Sequence, residues 1–105
     1  MSINKVILLG YTGKDPEVKD VAGTKVANLS LATTEKGYTL QNGIQVPDRT
    51  EWHSLIFWKG LAEVVEKYVR KGSQIYIEGK IKTRQYEDRT GSKRYVTEIF
   101  VDKLE

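Results

Sequence analysis

A small all-β barrel, five short strands with a single α-helix between the third and the fourth, is the fold this sequence predicts. Three observations carry it. Runs of β-branched and aromatic residues with a period of two recur along most of the chain, one stretch alone has helical spacing, and glycine-bearing turns punctuate the runs. The 105 residues leave room for one domain, 1–105, with a modest core and no second.

Ile3 to Leu9 is almost continuously apolar, broken by Asn4 and Lys5 and followed by Gly10 and Gly13. It reads as a strand buried on both sides and ended by a bend. Lys25 to Thr34 alternates Ala27, Leu29 and Leu31 with Asn28 and Ser30, after a glycine turn within Asp20 to Thr24. A second strand hairpinned to the extension of the first follows from that. Glu35 to Arg49 is polar, with Gly37, Asn42-Gly43 and Pro47; it predicts a long loop or a protruding hairpin with Asn42-Gly43 at its tip. The third strand, Thr50 to Trp58, puts Trp52, Ser54, Ile56 and Trp58 on one face and His53, Leu55 and Phe57 on the other.

Leu61, Val64, Val65, Tyr68 and Val69 then fall at i, i+3, i+4, i+7 and i+8, with Glu63 early, Arg70 and Lys71 late, and Gly72 as a stop. This spacing predicts an amphipathic helix of about three turns. In Gln74 to Tyr86 the alternation returns, with Ile75, Ile77 and Ile81 toward a core and Tyr76, Glu78, Lys80, Lys82, Arg84 and Tyr86 toward water. A loop around Thr90-Gly91 leads to a last strand, Arg94 to Val101. The order β-β-β-α-β-β is that of the OB-fold barrel, whose outer face and loops bind oligonucleotides or oligosaccharides. A ferredoxin-like sandwich needs a second helix, and none is patterned here.

Composition removes whole classes of function. With no cysteine there is no disulfide, thiol nucleophile or thiolate metal site, and one histidine cannot build a His-rich centre. The carboxylates show no acid–base pairing pattern, so neither catalytic residues, a metal nor a cofactor is expected. Gly10-Tyr11-Thr12-Gly13-Lys14 suggests a phosphate loop, but it has two residues between the glycines where the Walker pattern needs four, and Asp15 stands where Ser or Thr should follow the lysine. Asn28-Leu29-Ser30 matches a glycosylation sequon, yet falls inside a predicted strand. No apolar run approaches membrane-spanning length and no leader pattern opens the chain; the expectation is a soluble cytoplasmic protein without a membrane partner.

Both tryptophans lie on one face of the third strand, opposite an apolar set. Two rings placed so imply either a second buried interface or a platform for a flat ligand such as a nucleobase. The net charge of +3 is unevenly spread: Gly79 to Arg94 carries +4, and the remainder −1. That favours a polyanion-facing edge over a uniformly basic surface, the plain alternative being a solvated hairpin.

Blocks along nearly the whole chain carry a family likeness: Asn4-Lys5-Val6-Ile7-Leu8-Leu9-Gly10, Gly13-Lys14-Asp15-Pro16-Glu17-Val18, Thr50-Glu51-Trp52-His53, Leu61-Ala62-Glu63, Tyr68-Val69-Arg70-Lys71-Gly72-Ser73, Ile77-Glu78-Gly79-Lys80 and Thr83-Arg84-Gln85-Tyr86. Together they resemble the DNA-binding domain of the bacterial and mitochondrial type of single-stranded DNA-binding protein. The resemblance implies a non-enzymatic OB-fold that forms a homotetramer (a dimer being the smaller possibility). It further implies a nucleoid-associated protein that protects single-stranded DNA without sequence specificity during replication, recombination and repair. Trp52, Trp58, Tyr86 and Tyr38 match the family's base-stacking positions. Phosphate contacts fall to Arg84, Lys82, Lys80, Arg89, Lys93 and Arg94, with Arg49, Lys36 and Lys5 as lesser candidates. The resemblance also sets His53 near a subunit contact, and Ile3, Lys5, Ile7 and Tyr76 join it as expected interface residues.

This sequence departs from the family pattern at Ser54, where relatives often have a basic residue, and at Lys59-Gly60, which reverses a common Gly-Lys order. Replication and repair proteins are expected as partners only where an acidic tail, usual in the family, continues beyond Glu105. The rival readings are an OB-fold paralogue acting on a primosome or on RNA, and a protein-interaction module whose aromatic face is an interface.

Overall fold

The computed structural model describes residues 1–105. In chain order the elements are β1 (Val6–Thr12), β2 (Glu17–Val21), β3 (Thr24–Glu35), β4 (Tyr38–Thr39), β5 (Gln45–Val46), β6 (Arg49–Trp58), α1 (Gly60–Tyr68), β7 (Gln74–Glu87) and β8 (Lys93–Leu104). Six strands make one sheet in the order β1-β7-β8-β6-β3-β2, and a second pairing of β1, with β3, closes it into a barrel. The five expected strands are β1, β3, β6, β7 and β8. β2 continues the first strand past its bend and hairpins with β3 through Val21↔Thr24. β4 and β5 pair as a separate ribbon with Gly43 at its turn, at a φ of 86° that favours glycine. That ribbon is the protruding hairpin expected between Glu35 and Arg49.

One face of each barrel strand feeds the core. Ala27, Leu29 and Leu31 of β3, Leu55 and Phe57 of β6, Ile75 and Ile77 of β7, and Ile99 and Val101 of β8 form one buried cluster. The helix caps it with Ala62 and Val65, and Val69 follows just beyond the helix end. β6 meets β8 in parallel, Leu55↔Ile99 and Ile56↔Phe100, while its other edge runs antiparallel to β3.

Closure depends on a small polar knot. The buried Thr12 hydroxyl donates to the Arg70 carbonyl at 2.6 Å and accepts from the Ser73 N–H at 3.0 Å. The Thr12 backbone exchanges two further bonds with Ser73 and Gly72, each 2.9 Å long. The end of β1, the exit from the helix and the start of β7 are thereby fastened at one residue. Next to it β1 crosses close to β3 at Gly10, where any Cβ would strike the Ala32 carbonyl. Only glycine admits that approach.

Three sequence expectations are corrected. The first strand begins at Val6, not Ile3, and is buried on one side only: Ile7, Leu9 and Tyr11 are exposed. A barrel this small has a single interior, so the second apolar side is left on the surface. In the helix, Val64 and Tyr68 are exposed, and the buried stripe runs through Ala62, Val65 and Val69; the helix ends at Tyr68 because Val69 is already extended. Gly72, at φ 85°, shapes the turn into β7 instead of stopping the helix. Ile81 is exposed because β7 and β8 run on beyond the barrel as a two-stranded arm, leaving it nothing to pack against.

Lys59 joins β6 to the helix at φ 55° and ψ −122°, a left-handed conformation costly for any residue with a Cβ. Its N–H is held by the Lys25 carbonyl at 2.9 Å. Lys59→Gly is expected to stabilise the protein by about 1 kcal/mol, read as a higher denaturant midpoint with an unchanged slope. A lower midpoint would contradict the strain at this turn.

Candidate nucleic-acid interface

The ladder that buries Leu55 and Phe57 forces Trp52, Ser54, Ile56 and Trp58 to the outside of β6. The Ile56↔Phe100 register brings Phe100 and Glu98 of β8 onto the same side. Across the next ladder, Lys80↔Phe100, Lys82↔Glu98, Arg84↔Val96 and Tyr86↔Arg94 carry that face along the arm. β3 adds Val26, Asn28 and Ser30 opposite Trp58, Ile56 and Ser54.

Trp52 is 60% exposed, Trp58 40% and Tyr86 44%. Trp58 and Phe100 lie with centroids 6.5 Å apart and planes tilted by 31°. The buried side chains of Val26 and Ile56 complete a small outer apolar patch with those two rings. The Lys82 ammonium sits 4.5 Å from the Phe100 ring centroid and the Arg84 guanidinium 5.9 Å from that of Tyr86, so cations and rings alternate along one surface. Trp52 rests over Gly13, where an added Cβ would collide with its six-membered ring. A depression of about 150 Å³ on this side is lined by Lys14, Asp15, Glu17, Asn28, Ser30, Ser54 and Glu98.

The structure sorts the expected cations into groups. Lys80, Lys82, Arg89 and Lys93 are exposed on the arm or its base. Arg84 pairs with Glu98 at 2.8 Å and Arg94 with Asp88 at 2.9 Å. Lys36 and Arg49 share a recess of about 230 Å³ with Tyr38, which belongs to the β4–β5 ribbon and not to the tryptophan face. Lys5 lies elsewhere, bridged to Glu78 at 2.9 Å.

That bridge belongs to a different surface. Ile7↔Glu78 and Leu9↔Tyr76 set these side chains together on the outside of β1 and β7, with the Tyr76 hydroxyl donating to Glu78 at 2.6 Å. Hydrogen bonds from Tyr76 and then Lys5 hold the Glu78 carboxyl below its ordinary range, and the same bond to Glu78 raises the Tyr76 phenol. Ile3 is 91% exposed, and β1 pairs with β3 only at Tyr11 and Thr12, so the Val6 to Leu9 edge is paired with no strand on that side. His53 is on neither surface: it is half-buried on the inward side of β6, its Nε2 hydrogen-bonded with the Thr33 hydroxyl at 2.8 Å.

Sequence reasoning missed three participants. Phe100 and Glu98 were legible from alternation in the last strand, which sets them opposite Ile99 and Val101. Gly13 as a seat for Trp52 carries no local signal, because the contact bridges distant parts of the chain.

A closed five-stranded barrel with exposed and cation-bearing aromatics on its outer face defines an OB-fold of the surface-binding class. The family model described as the single-strand binding protein family matches residues 3–105, and the chain belongs to that family. A protein described as a single-stranded DNA-binding protein, from Bacteroides thetaiotaomicron, is 58% identical over 106 residues. The match takes in 100% of this chain but 66% of that relative's length. Among solved structures, one described as the Plasmodium falciparum SSB complex with ssDNA superposes with a TM-score of 0.84 at 30% identity, over 100% of this chain and 93% of that one.

At the tip of the arm, Asp88 accepts from the Thr90 hydroxyl and N–H, the Ser92 N–H and Arg94. The Thr90 bond first, then Arg94, lowers its pKa from 3.8 to about 2. A depressed carboxyl stabilises the folded tip above its ordinary pKa, and that stabilisation is lost as pH falls from 3.8 through about 2. Amide signals of Thr90 and Ser92 are expected to lose protection in that window and to be weakly protected at neutral pH in Asp88→Asn. Full protection below the window would refute the Asp88 anchor.

Proposed function

We propose that residues 1–105 form one unit that binds single-stranded DNA without sequence specificity, as a homotetramer, and protects it in replication, recombination and repair. The observation that carries this reading is the continuous outer face on which Trp52, Trp58, Phe100 and Tyr86 alternate with Lys80, Lys82 and Arg84. Exposed rings offer stacking surfaces to any base, and the unpaired lysines replace counterions along a phosphate backbone. Neither group reads base edges, so sequence preference is weak. Duplex DNA keeps its bases stacked internally and has little to gain. Tyr38 with Lys36 and Arg49 adds a contact on the ribbon, and Arg89, Lys93 and Arg94 extend the path along the arm. The unit is a binding module and not an enzyme. No helix is long and apolar enough to cross a membrane, and the proposed site of action is the cytoplasm, at the nucleoid.

Assembly is assigned to the outer side of β1 and the residues leading into it, with Ile3, Lys5, Ile7 and Tyr76, and, apart from that side, to the half-buried His53 of β6. An open strand edge beside exposed aliphatic side chains favours pairing with a second copy. Replication and repair proteins are partners where an acidic tail follows the barrel.

Tryptophan fluorescence titrated with oligo-dT, duplex and RNA at low and high salt tests the binding. Strong quenching by oligo-dT, weakened by salt and absent with duplex, is expected; Trp58→Ala should lose about 1–3 kcal/mol of binding while the domain stays folded. Fluorescence that follows protein concentration and ignores oligonucleotides would instead make the face an interface. For assembly, replacing His53 by a bulkier residue is expected to lower the mass measured by light scattering, and an unchanged mass would remove His53 from the contact.

A further inference from the structure

We propose that Glu98 is a positioning residue of the binding face: it holds the Arg84 guanidinium in a fixed, charge-compensated pair that meets DNA through directed hydrogen bonds and not through counterion release. This rests on the reading of the face as a single-strand binding surface. Glu98 shares its depression with Asp15 and Glu17, but it is the buried one of the three, pointing outward beside cations and rings yet only 7% exposed. Its Oε1 accepts from Arg84 Nε at 2.8 Å, and its Oε2 lies 3.5 Å from Nη2. Lys82 is its direct neighbour across the ladder, but the Lys82 ammonium sits over Phe100, leaving Arg84 as the ion-pair partner of Glu98.

The two partners are unequally placed. The Arg84 side chain is 61% exposed and that of Glu98 9%. Withdrawing the guanidinium would strand a desolvated carboxylate, which is strongly destabilising, so the pair stays closed when a strand arrives. Arginine has five N–H donors in a planar fork, and Glu98 engages only the Nε and Nη2 side. The remaining donors lie beside Tyr86 on a side chain that is largely exposed, where a phosphate can accept from them. The pair has no net charge, so Arg84 releases no counterion although it is an arginine on a nucleic-acid-binding face. Lys80, Lys82, Arg89 and Lys93 set the salt dependence instead.

The test is the slope of log affinity for oligo-dT against log salt in four tetramer-checked proteins. In Glu98→Gln the guanidinium becomes a free cation, and the slope should steepen by about 0.7, the increment for one cation on a single strand. Arg84→Lys, which keeps the charge but loses the fork, should bind more weakly with the parent slope. The double variant Arg84→Gln/Glu98→Gln removes the pair without changing net charge, and it should also bind more weakly with the parent slope. A parent slope in Glu98→Gln, or a slope shallower by about 0.7 in the double variant, would overturn the proposal. Should Glu98→Gln fail to fold, the double variant decides alone. If the parent itself binds no oligo-dT, it is the proposed function that fails, and not the role of Glu98 within it.

Discussion

Everything on the outer, tryptophan-bearing face follows from one constraint: a strand in a small closed barrel has two sides and only one interior. Pairing β6 between β3 and β8 in the register that buries Leu55 and Phe57 leaves no place but the outside for Trp52, Ile56 and Trp58. The same rule acts across β8, where Ile99 and Val101 go in and Glu98 and Phe100 go out. A one-residue slip in either ladder would exchange core for face entirely. The register is therefore specified by the hydrophobic cluster, and the aromatic platform is specified with it.

Strand alternation made much of this legible in the chain itself. The faces of β6, the five barrel strands, the single helix and the tip at Asn42-Gly43 are all readable from periodicity and turn residues. What the sequence concealed is where the barrel ends. Ile81 looks like core by its spacing but lies where β7 has outrun the other strands, and Ile7 and Leu9 look buried though one side of β1 has no layer above it. Hydrophobicity marks these positions as wanting cover without saying whether this protomer supplies it. The helix stripe was misplaced by similar logic, since Ala62 contributes to the core despite its small side chain.

Charge was the least legible property. A list of lysines and arginines suggests a uniform polyanion-binding strip, but folding pairs several with carboxylates distant in sequence: Lys5 with Glu78, Arg84 with Glu98, and Lys25 with Glu66. On the outer face and its arm the pairs of Arg84 with Glu98 and of Arg94 with Asp88 make the effective charge smaller than the composition suggests, and it is concentrated on Lys80, Lys82, Arg89 and Lys93. Strand register determines which cations keep their charge for a ligand, and register is a long-range property.

The β7–β8 arm has a consequence of its own. Beyond the barrel its residues are held by the ladder between the two strands, by cross-strand bonds such as Thr83 to Thr97, and by the Asp88 tip, with little buried side chain beneath them. A two-stranded ribbon without a core under it can bend and twist at small cost while the barrel stays rigid. Half of the aromatic and cationic surface therefore sits on a compliant finger and half on a stiff palm. A polymer with many shapes can be gripped by such a pair without remodelling the protein's interior.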